Sequence, residues 1–372
     1  MTVTPIIQFG TSRFLQAHAD LFISDARAEG QDVGPITVVQ TSGAASRAGR
    51  LAAFDGRPIP IVVRGLENGK AIDRTEYTRS IVRGLSAAAD WPEVERIFVE
   101  EAKLAISNTA EVGYDMPEGE TIGESVPASF PAKLTKLLHA RFHRTGEPIA
   151  IFPGELITQN GTVLKGICIG LAERSGLAPA FREWLTEKVL WANTLVDRIV
   201  SAPIEPVGAV AEPYALWAIE TQPGLVMPAV HRCIRPVSEL ATTERLKLFI
   251  LNLGHTCLAE RWLVDRRPEE ETVREILAVA DIRAWLDGIY DGEVLPVFAA
   301  AGIAEAPEYR RTVMERFLNP FLDHRLREIA GNHLAKKERR IGGLSKLAAE
   351  AAPGLRMPTL AAIAASGVSV RG

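Results

Sequence analysis

Over the first two-thirds of the chain, short apolar runs alternate with stretches whose apolar residues recur at helical spacing. The run IIQF (6–9) reads as a buried strand. It turns at Gly10 and passes into a helical pattern through about Arg27, with Leu15, Phe22 and Ala26 on one side. PITVVQ (35–40) predicts a second strand, and RPIPIVVRGLENGKAID (57–73) a hairpin about Asn68-Gly69. KLAISN (103–108) predicts a buried strand that ends in polar residues. PAKLTKLLHARFHRTG predicts an amphipathic helix that stops at Gly146, with a strand in PIAIFPGE after it. FREWLTEKVLWANTLVDRIV reads as a helix followed by a turn or strand. Beyond about residue 240 the pattern is helical throughout. The expectation is therefore an α/β N-terminal Rossmann-type domain over residues 1–240, followed by an all-α C-terminal domain over 241–372.

Composition narrows the class. Of 372 residues, 47% are hydrophobic and 24% charged, enough apolar material for a core in each domain. The formal net charge of −4 argues against a nucleic-acid or anionic-membrane partner, and the basic stretches HARFHR and KKERR match no nucleic-acid-binding motif. Cys168, Cys233 and Cys257 are widely spaced and form neither a disulfide framework nor a zinc ribbon, which fits a reducing compartment. The N-terminal residues lack a secretory pattern, and no run of about 18 apolar residues occurs. A cytoplasmic, soluble protein with no bound metal is expected.

The turn at Gly10 is the first candidate for chemistry. A dinucleotide-binding unit begins with such a strand and turn, and places a pyrophosphate where free N–H groups face the ligand. Here the residues are Gly10, Thr11, Ser12, Arg13 and Phe14, with serine where a second glycine is usual. An ordinary strand-to-helix corner is the competing explanation. The second strand ends at Gln40 with neither an acidic nor a basic residue, and Arg47 and Arg50 lie further on, so these residues do not choose between NAD and NADP. The strand ending in Ser107, Asn108 and Thr109, with Glu111 soon after, puts polar groups where parallel strands present ligands. An Asn that merely caps the next turn would look the same.

The second candidate is KLFILNLGH (247–255). At about 100° per residue, Asn252 lies about 140° and His255 about 80° from Lys247, on one broad helical face. Oxidising a secondary alcohol needs a base for the hydroxyl proton and donors for the oxygen. A lysine amine serves as a base where burial and neighbouring cations favour its neutral form. The alternative is a solvated lysine, a packing asparagine and a satisfied core histidine.

Taken together, these stretches resemble the polyol-specific long-chain dehydrogenases, which include mannitol dehydrogenases, fructuronate and tagaturonate reductases and mannitol-1-phosphate dehydrogenases. KLFILNLGH matches the family signature K-x4-N-x2-H, and GTSRF is similar to its G-x-G-x-F turn. SNTAE (107–111) and GELITQNG (154–161) resemble the tagaturonate-reductase branch, as does RFLNPFLDHRLREIAGNHLAKKERR (316–340); NTLVDRIV (193–200) resembles the family's N-x-x-V-D-R-I. The resemblance implies a metal-independent hydride transfer between NAD, with NADP as the other option, and a polyol or sugar acid. Lys247 would be the base, with Asn252 and His255 beside it, and catalysis would fall between the two domains. It further implies that Asn160, Asp197, Asn332, His333, Lys336 and Arg340 reach the substrate or hold the lysine. A carboxylate substrate would favour Lys336 or Arg340, although KKERR also reads as a solvated helix face and Asp197 as structural. A non-catalytic sugar- or nucleotide-sensing protein on the same scaffold is the alternative function.

Overall fold

The structure, a computed structural model, describes residues 2–42, 48–109 and 111–368. Its strands are β1 (Ile6–Phe9), β2 (Ile36–Gln40), β3 (Ile59–Glu67), β4 (Lys70–Thr78), β5 (Ile81–Ser86), β6 (Leu104–Ser107), β7 (Ala150–Pro153), β8 (Leu190–Trp191), β9 (Thr194–Asp197), β10 (Val200–Pro203), β11 (Ala209–Ala211), β12 (Leu216–Glu220) and β13 (Ile234–Val237). The chain divides into two compact units, one of Met1–Val63 with Arg74–Leu240 and one of Arg64–Asp73 with Ala241–Gly372.

In the first unit, six parallel strands form a sheet in the order β5-β2-β1-β6-β7-β8. Numbered within the sheet, this is 3-2-1-4-5-6, the doubly wound dinucleotide-binding order. The strand order reverses between β1 and β6, and ligands of such sheets bind outside the carboxyl ends at that point. Ile6 is level with both Ile36 and Leu104, and Phe9 with Val39 and Ser107, so the two central strands end together. Every residue of β1 and β2 is buried. That is why both read as apolar runs rather than alternating ones, since helices cover parallel sheets on both faces. One such helix, Phe130–Arg144, is capped by Ser129, and its Leu134, Leu137 and Leu138 join Phe9, Phe98 and Trp184 in the core.

The expected helix after Gly10 is broken. A single turn, Arg13–Gln16, ends at Ala17, and a second helix runs from Ala19–Ala28 after His18 takes a non-helical conformation. Strands β3 and β4 form the expected hairpin, with Asn68 and Gly69 at positive φ as a tight two-residue connection requires. Its distal part, Arg64–Asp73, belongs to the second unit. There Gly69 N donates to Glu315 Oε1 (2.6 Å), Asn319 Nδ2 donates to the Arg64 carbonyl (3.3 Å), and the Arg64 guanidinium lies 5.1 Å from the Phe321 ring centre.

From Ala241 onward the second unit is helical and has its own core, which includes Phe249, Ile250, Leu253, Leu258, Tyr290, Phe298 and Leu344. Three of its segments, Lys247–Asn252, Tyr290–Val294 and Glu338–Gly342, are π-helical rather than α-helical. No helix among the described residues is long and apolar enough to cross a membrane.

Candidate active site

At the carboxyl end of β1, Gly10 has φ +122°, and a Cβ there would come 2.5 Å from the Asn108 carbonyl oxygen. Only glycine lets the turn pass this close to the end of β6. Ser12 locks the same corner. Its Oγ accepts from Leu15 N (3.2 Å) and donates to Asn108 Oδ1 (3.2 Å), while Asn108 Nδ2 donates to the Gly154 carbonyl (2.8 Å). The two stretches singled out in the sequence, Gly10–Phe14 and Asn108–Thr109, are therefore one hydrogen-bonded corner. The Thr11 carbonyl accepts from Arg50 Nη1 (3.4 Å), and Phe14 stacks on His18 at 4.6 Å. Gln40 is buried at the end of β2 and donates to the Ser42 carbonyl (2.8 Å). Arg47 lies outside the described residues, as does the side chain of Glu111.

Arg13 does not stand in this corner as an open cation. It pairs with Glu205 Oε1 at 2.8 Å and donates to the Gly208 carbonyl at 3.2 Å. Beneath the turn, Gln8 Nε2 donates to Asp20 Oδ2 (3.3 Å) and to the Gly10 carbonyl (3.4 Å), while Gln8 Oε1 and Asp20 Oδ1 are buried without a partner among the described residues. Burial pushes the Asp20 carboxyl up to about 8, opposed by the Gln8 hydrogen bond.

Sequence reasoning missed the residue that organises the end of β6. Glu155 is buried; its Oε1 accepts from Thr109 N and Thr109 Oγ1 (both 2.9 Å), and its Oε2 from Ser107 Oγ (2.9 Å) and the Tyr114 hydroxyl (3.3 Å). Burial raises its pKa, and the hydrogen bonds oppose that shift. Asn160, which the resemblance implies reaches the substrate or holds the lysine, lies beside Glu155. Its side chain is fully buried: Nδ2 donates to the carbonyls of Pro153, Glu155 and Thr194, and Oδ1 accepts from Gly161 N and Thr194 N. No amide position remains for a ligand, and Asn160 anchors the Glu155 segment to β9. Asp197 is buried at the end of β9, in the first unit.

In the second unit, the motif Lys247–Asn252 is one π-helical turn followed by the α-helix Leu253–Val264. In a π-helix the hydrogen bond runs from i to i+5, so Lys247 and Asn252, five apart, come closer to alignment than on the expected α-helix. The backbone oxygens of this segment are met from outside it. The Tyr290 hydroxyl donates to the Ile250 carbonyl (2.8 Å), and Arg340 Nη1 (3.0 Å) and Thr256 Oγ1 (3.1 Å) both donate to the Asn252 carbonyl. Gly254 makes the first of these contacts possible, because a Cβ at that position would overlap the Tyr290 hydroxyl oxygen. Lys247 and Asn252 are half-buried and His255 is buried. His255 lies 4.5 Å from the Phe317 ring and 4.8 Å from His324. Burial, then His324, Arg340, Arg316 and Lys336, hold its imidazole well below its ordinary pKa, so it is uncharged. Arg316 and His324 both lie within the 316–340 stretch, but no periodicity sets them apart from its other charged residues.

The residues of that stretch divide. Arg340 Nη1 also donates to Thr256 Oγ1 (2.8 Å), and burial lowers the guanidinium to about 10. Lys336 Nζ donates to the Ile329 carbonyl (2.8 Å), and burial followed by Arg340 lowers its pKa. Asn332 is exposed, at φ +54°. His333 is buried, with Nε2 2.8 Å from Glu260 Oε2 in a polar cluster, while its Nδ1 has no partner among the described residues. Lys337 and Ser366 bond to the same carboxylate, and burial outweighs Glu260 in setting the lowered pKa of His333. Among the described residues, no group of three or more His, Cys, Asp or Glu side chains is placed to hold a metal ion.

The sheet order and the helical second unit define the class, a Rossmann-type domain followed by a helical domain. The family follows from comparison: the mannitol dehydrogenase Rossmann domain matches residues 4–226, the mannitol dehydrogenase C-terminal domain matches 239–370, and the chain belongs to this family. It is 33% identical over 361 residues to an altronate oxidoreductase of Klebsiella pneumoniae (strain 342), covering 90% of this chain and 73% of the relative. The altronate oxidoreductase of Bacillus subtilis (strain 168) is 28% identical over 354 residues, covering 89% and 72%. Among solved structures, a D-sorbitol dehydrogenase in substrate-free form superposes with TM-score 0.79 at 20% identity, covering 94% of this chain and 77% of that one. The Pseudomonas fluorescens mannitol 2-dehydrogenase, solved with NAD and D-mannitol, gives 0.73 at 16% identity, covering 97% and 78%. At these identities the two structures speak for the fold.

Proposed function

We propose that this chain is an NAD-dependent dehydrogenase that oxidises a secondary alcohol of a sugar acid or polyol, with Lys247 as general base. The observation that carries this is the second-unit motif: an amine, an amide and an uncharged imidazole sit on and just after one π-helical turn braced by Tyr290 and Arg340. The cofactor corner supports it. The Gly10 turn leaves no room for a side chain, and it adjoins the Asn108–Thr109 strand end at the order reversal of the sheet, the usual place for a dinucleotide. Gly10, Thr11 and Ser12, with Asn108 and Thr109, would hold NAD, which supplies the hydride acceptor when bound.

The remaining chemistry belongs to the protein. The Lys247 amine takes the hydroxyl proton as hydride leaves the carbon, and in reverse its ammonium returns that proton to the ketone oxygen. The Asn252 amide and an N–H of His255 donate to the oxygen, where charge develops. His255 can do so as a neutral ring, because burial and its cationic neighbours disfavour the imidazolium. A sugar acid is favoured over a neutral polyol by the positive charge of Lys336, Arg340 and Arg316 around His255, and by the relatives named for altronate oxidation. A panel of aldonates and alditols, assayed with NAD and NADP by absorbance of the reduced cofactor, tests the activity. Lys247→Ala should lower kcat by about 10²–10⁴-fold, the usual worth of a general base, and leave NAD affinity unchanged. Near-normal turnover in the folded variant would remove the assigned base.

A further inference from the structure

The basic stretch HARFHR, which matches no nucleic-acid-binding motif, holds a pair of histidines. His139 and His143 lie four residues apart on the helix Phe130–Arg144, and residues at that spacing face the same side. Their Nε2 atoms are 3.0 Å apart, and the rings meet edge to face at 4.5 Å. His139 is half-buried, with its ring held against Phe181 at 4.9 Å, while His143 is exposed.

We propose that His139 and His143 form a bidentate site for a divalent transition cation of the Cu²⁺ or Ni²⁺ type, outside the residues assigned to the reaction. Imidazole nitrogens bind such ions at about 2.0–2.1 Å, so two on one ion are roughly 2.9 Å apart at a right angle and about 3.3 Å apart at the tetrahedral angle. The observed 3.0 Å is close to the right-angle value, which belongs to the tetragonal geometry of Cu²⁺ and Ni²⁺. Coordination requires both Nε2 atoms to present lone pairs, with the ring protons on Nδ1. Burial of His139, together with His143 beside it, favours the neutral ring. The location also suits a cation. His143 is in the last turn, where the helix dipole favours positive charge. Arg144 in the same turn is paired with Glu95 at 3.1 Å, and Arg141 is turned away onto the carbonyls of Phe98, Glu147 and Pro148. The two imidazoles occupy two positions on the ion, leaving the others to water or a ligand carboxylate.

The competing explanation is a simple N–H···N hydrogen bond between the two rings. Calorimetric titration of the chelator-stripped protein with Cu²⁺ separates them, and electron paramagnetic resonance counts the coordinating nitrogens. One equivalent should bind through two imidazole nitrogens. His143→Gln, at an exposed position, should weaken binding by more than about tenfold, because a chelate becomes a single contact; His139→Gln should do the same. NAD affinity and turnover should not change in either variant. Absence of one-equivalent binding would overturn the proposal, as would a His139→Gln/His143→Gln double variant that binds Cu²⁺ like the parent.

Discussion

Lys336 presents the sharpest test at the level of single residues. Its amine donates to the Ile329 carbonyl and lies among the cationic groups around His255. If a sugar acid is the substrate, Lys336→Met removes one charge-assisted bond to a carboxylate. Such a bond is worth about 1.5–3 kcal/mol, so KM for acids should rise by about ten- to a hundredfold. Neutral alditols should be little affected. Steady-state kinetics on a matched aldonate and alditol decide the matter, and equal effects on both would count against a carboxylate contact. The residue scale is also where sequence and structure part. The polar groups of Lys247, Asn252 and His255 are legible because their types and spacing match a reaction. Asn160 sits in an equally suggestive motif, yet its side chain is buried against protein partners, whereas His333 meets Glu260 through one ring nitrogen and leaves the other without a partner among the described residues. A sequence pattern does not distinguish a polar side chain that meets a ligand from one that meets a backbone carbonyl or a buried carboxylate. Glu155 is hidden for the converse reason: nothing in its neighbourhood marks it as the acceptor of four hydrogen bonds drawn from Ser107, Thr109 and Tyr114.

For whole elements, the strands and most helices can be read from apolar spacing. The hairpin is legible from Asn68-Gly69, because positive φ has a conformational cost that Asn and Gly relieve. The π-helical turn at Lys247–Asn252 is not legible, since its carbonyls are met by partners distant in the chain. Tyr290 reaches Ile250, forty residues back, and Arg340 reaches Asn252, eighty-eight back. The same dependence makes the geometry of the motif testable. Tyr290→Phe removes a hydroxyl and leaves the ring in the core. It should destabilise the protein by about 0.5–1.5 kcal/mol, the net worth of one hydrogen bond. If the π-turn aligns Lys247 with Asn252, kcat should also fall by about tenfold or more, because small misplacements of reacting groups are costly. Thermal melting and steady-state rates should be measured together; a stability loss with unchanged kcat would show that the turn does not depend on this hydroxyl.

On the scale of the whole molecule, the buried pair beneath the Gly10 turn links folding to pH. Asp20 has a folded-state pKa of about 8, raised from the ordinary 3.8 by burial. A group whose pKa rises on folding stabilises fully below its unfolded value, and that contribution is lost as pH climbs through the folded value. Asp20 should therefore destabilise progressively between about pH 4 and pH 8. Asn at this position keeps the shape but has no proton to lose. A tenfold change in acidity corresponds to about 1.4 kcal/mol, so Asp20→Asn should gain stability relative to the parent by a few kcal/mol between about pH 5 and pH 9. Urea unfolding of both proteins at the two pH values measures this. An identical difference at both would mean that Asp20 does not titrate in that range.

The hairpin tip adds a matter of timing. Arg64–Asp73 is the part of the early chain that belongs to the second unit, and its Gly69 amide waits for a carboxylate 246 residues further along. Ribosomes add about 5–20 residues per second. Roughly 12–50 s therefore pass between the emergence of Gly69 and that of Glu315. During that interval the ribbon around Asn68 has its turn but lacks its packing partners Glu315, Asn319 and Phe321. A nascent chain halted shortly before Glu315 should accordingly be cut by protease at the tip, and release of the next few dozen residues should close that window.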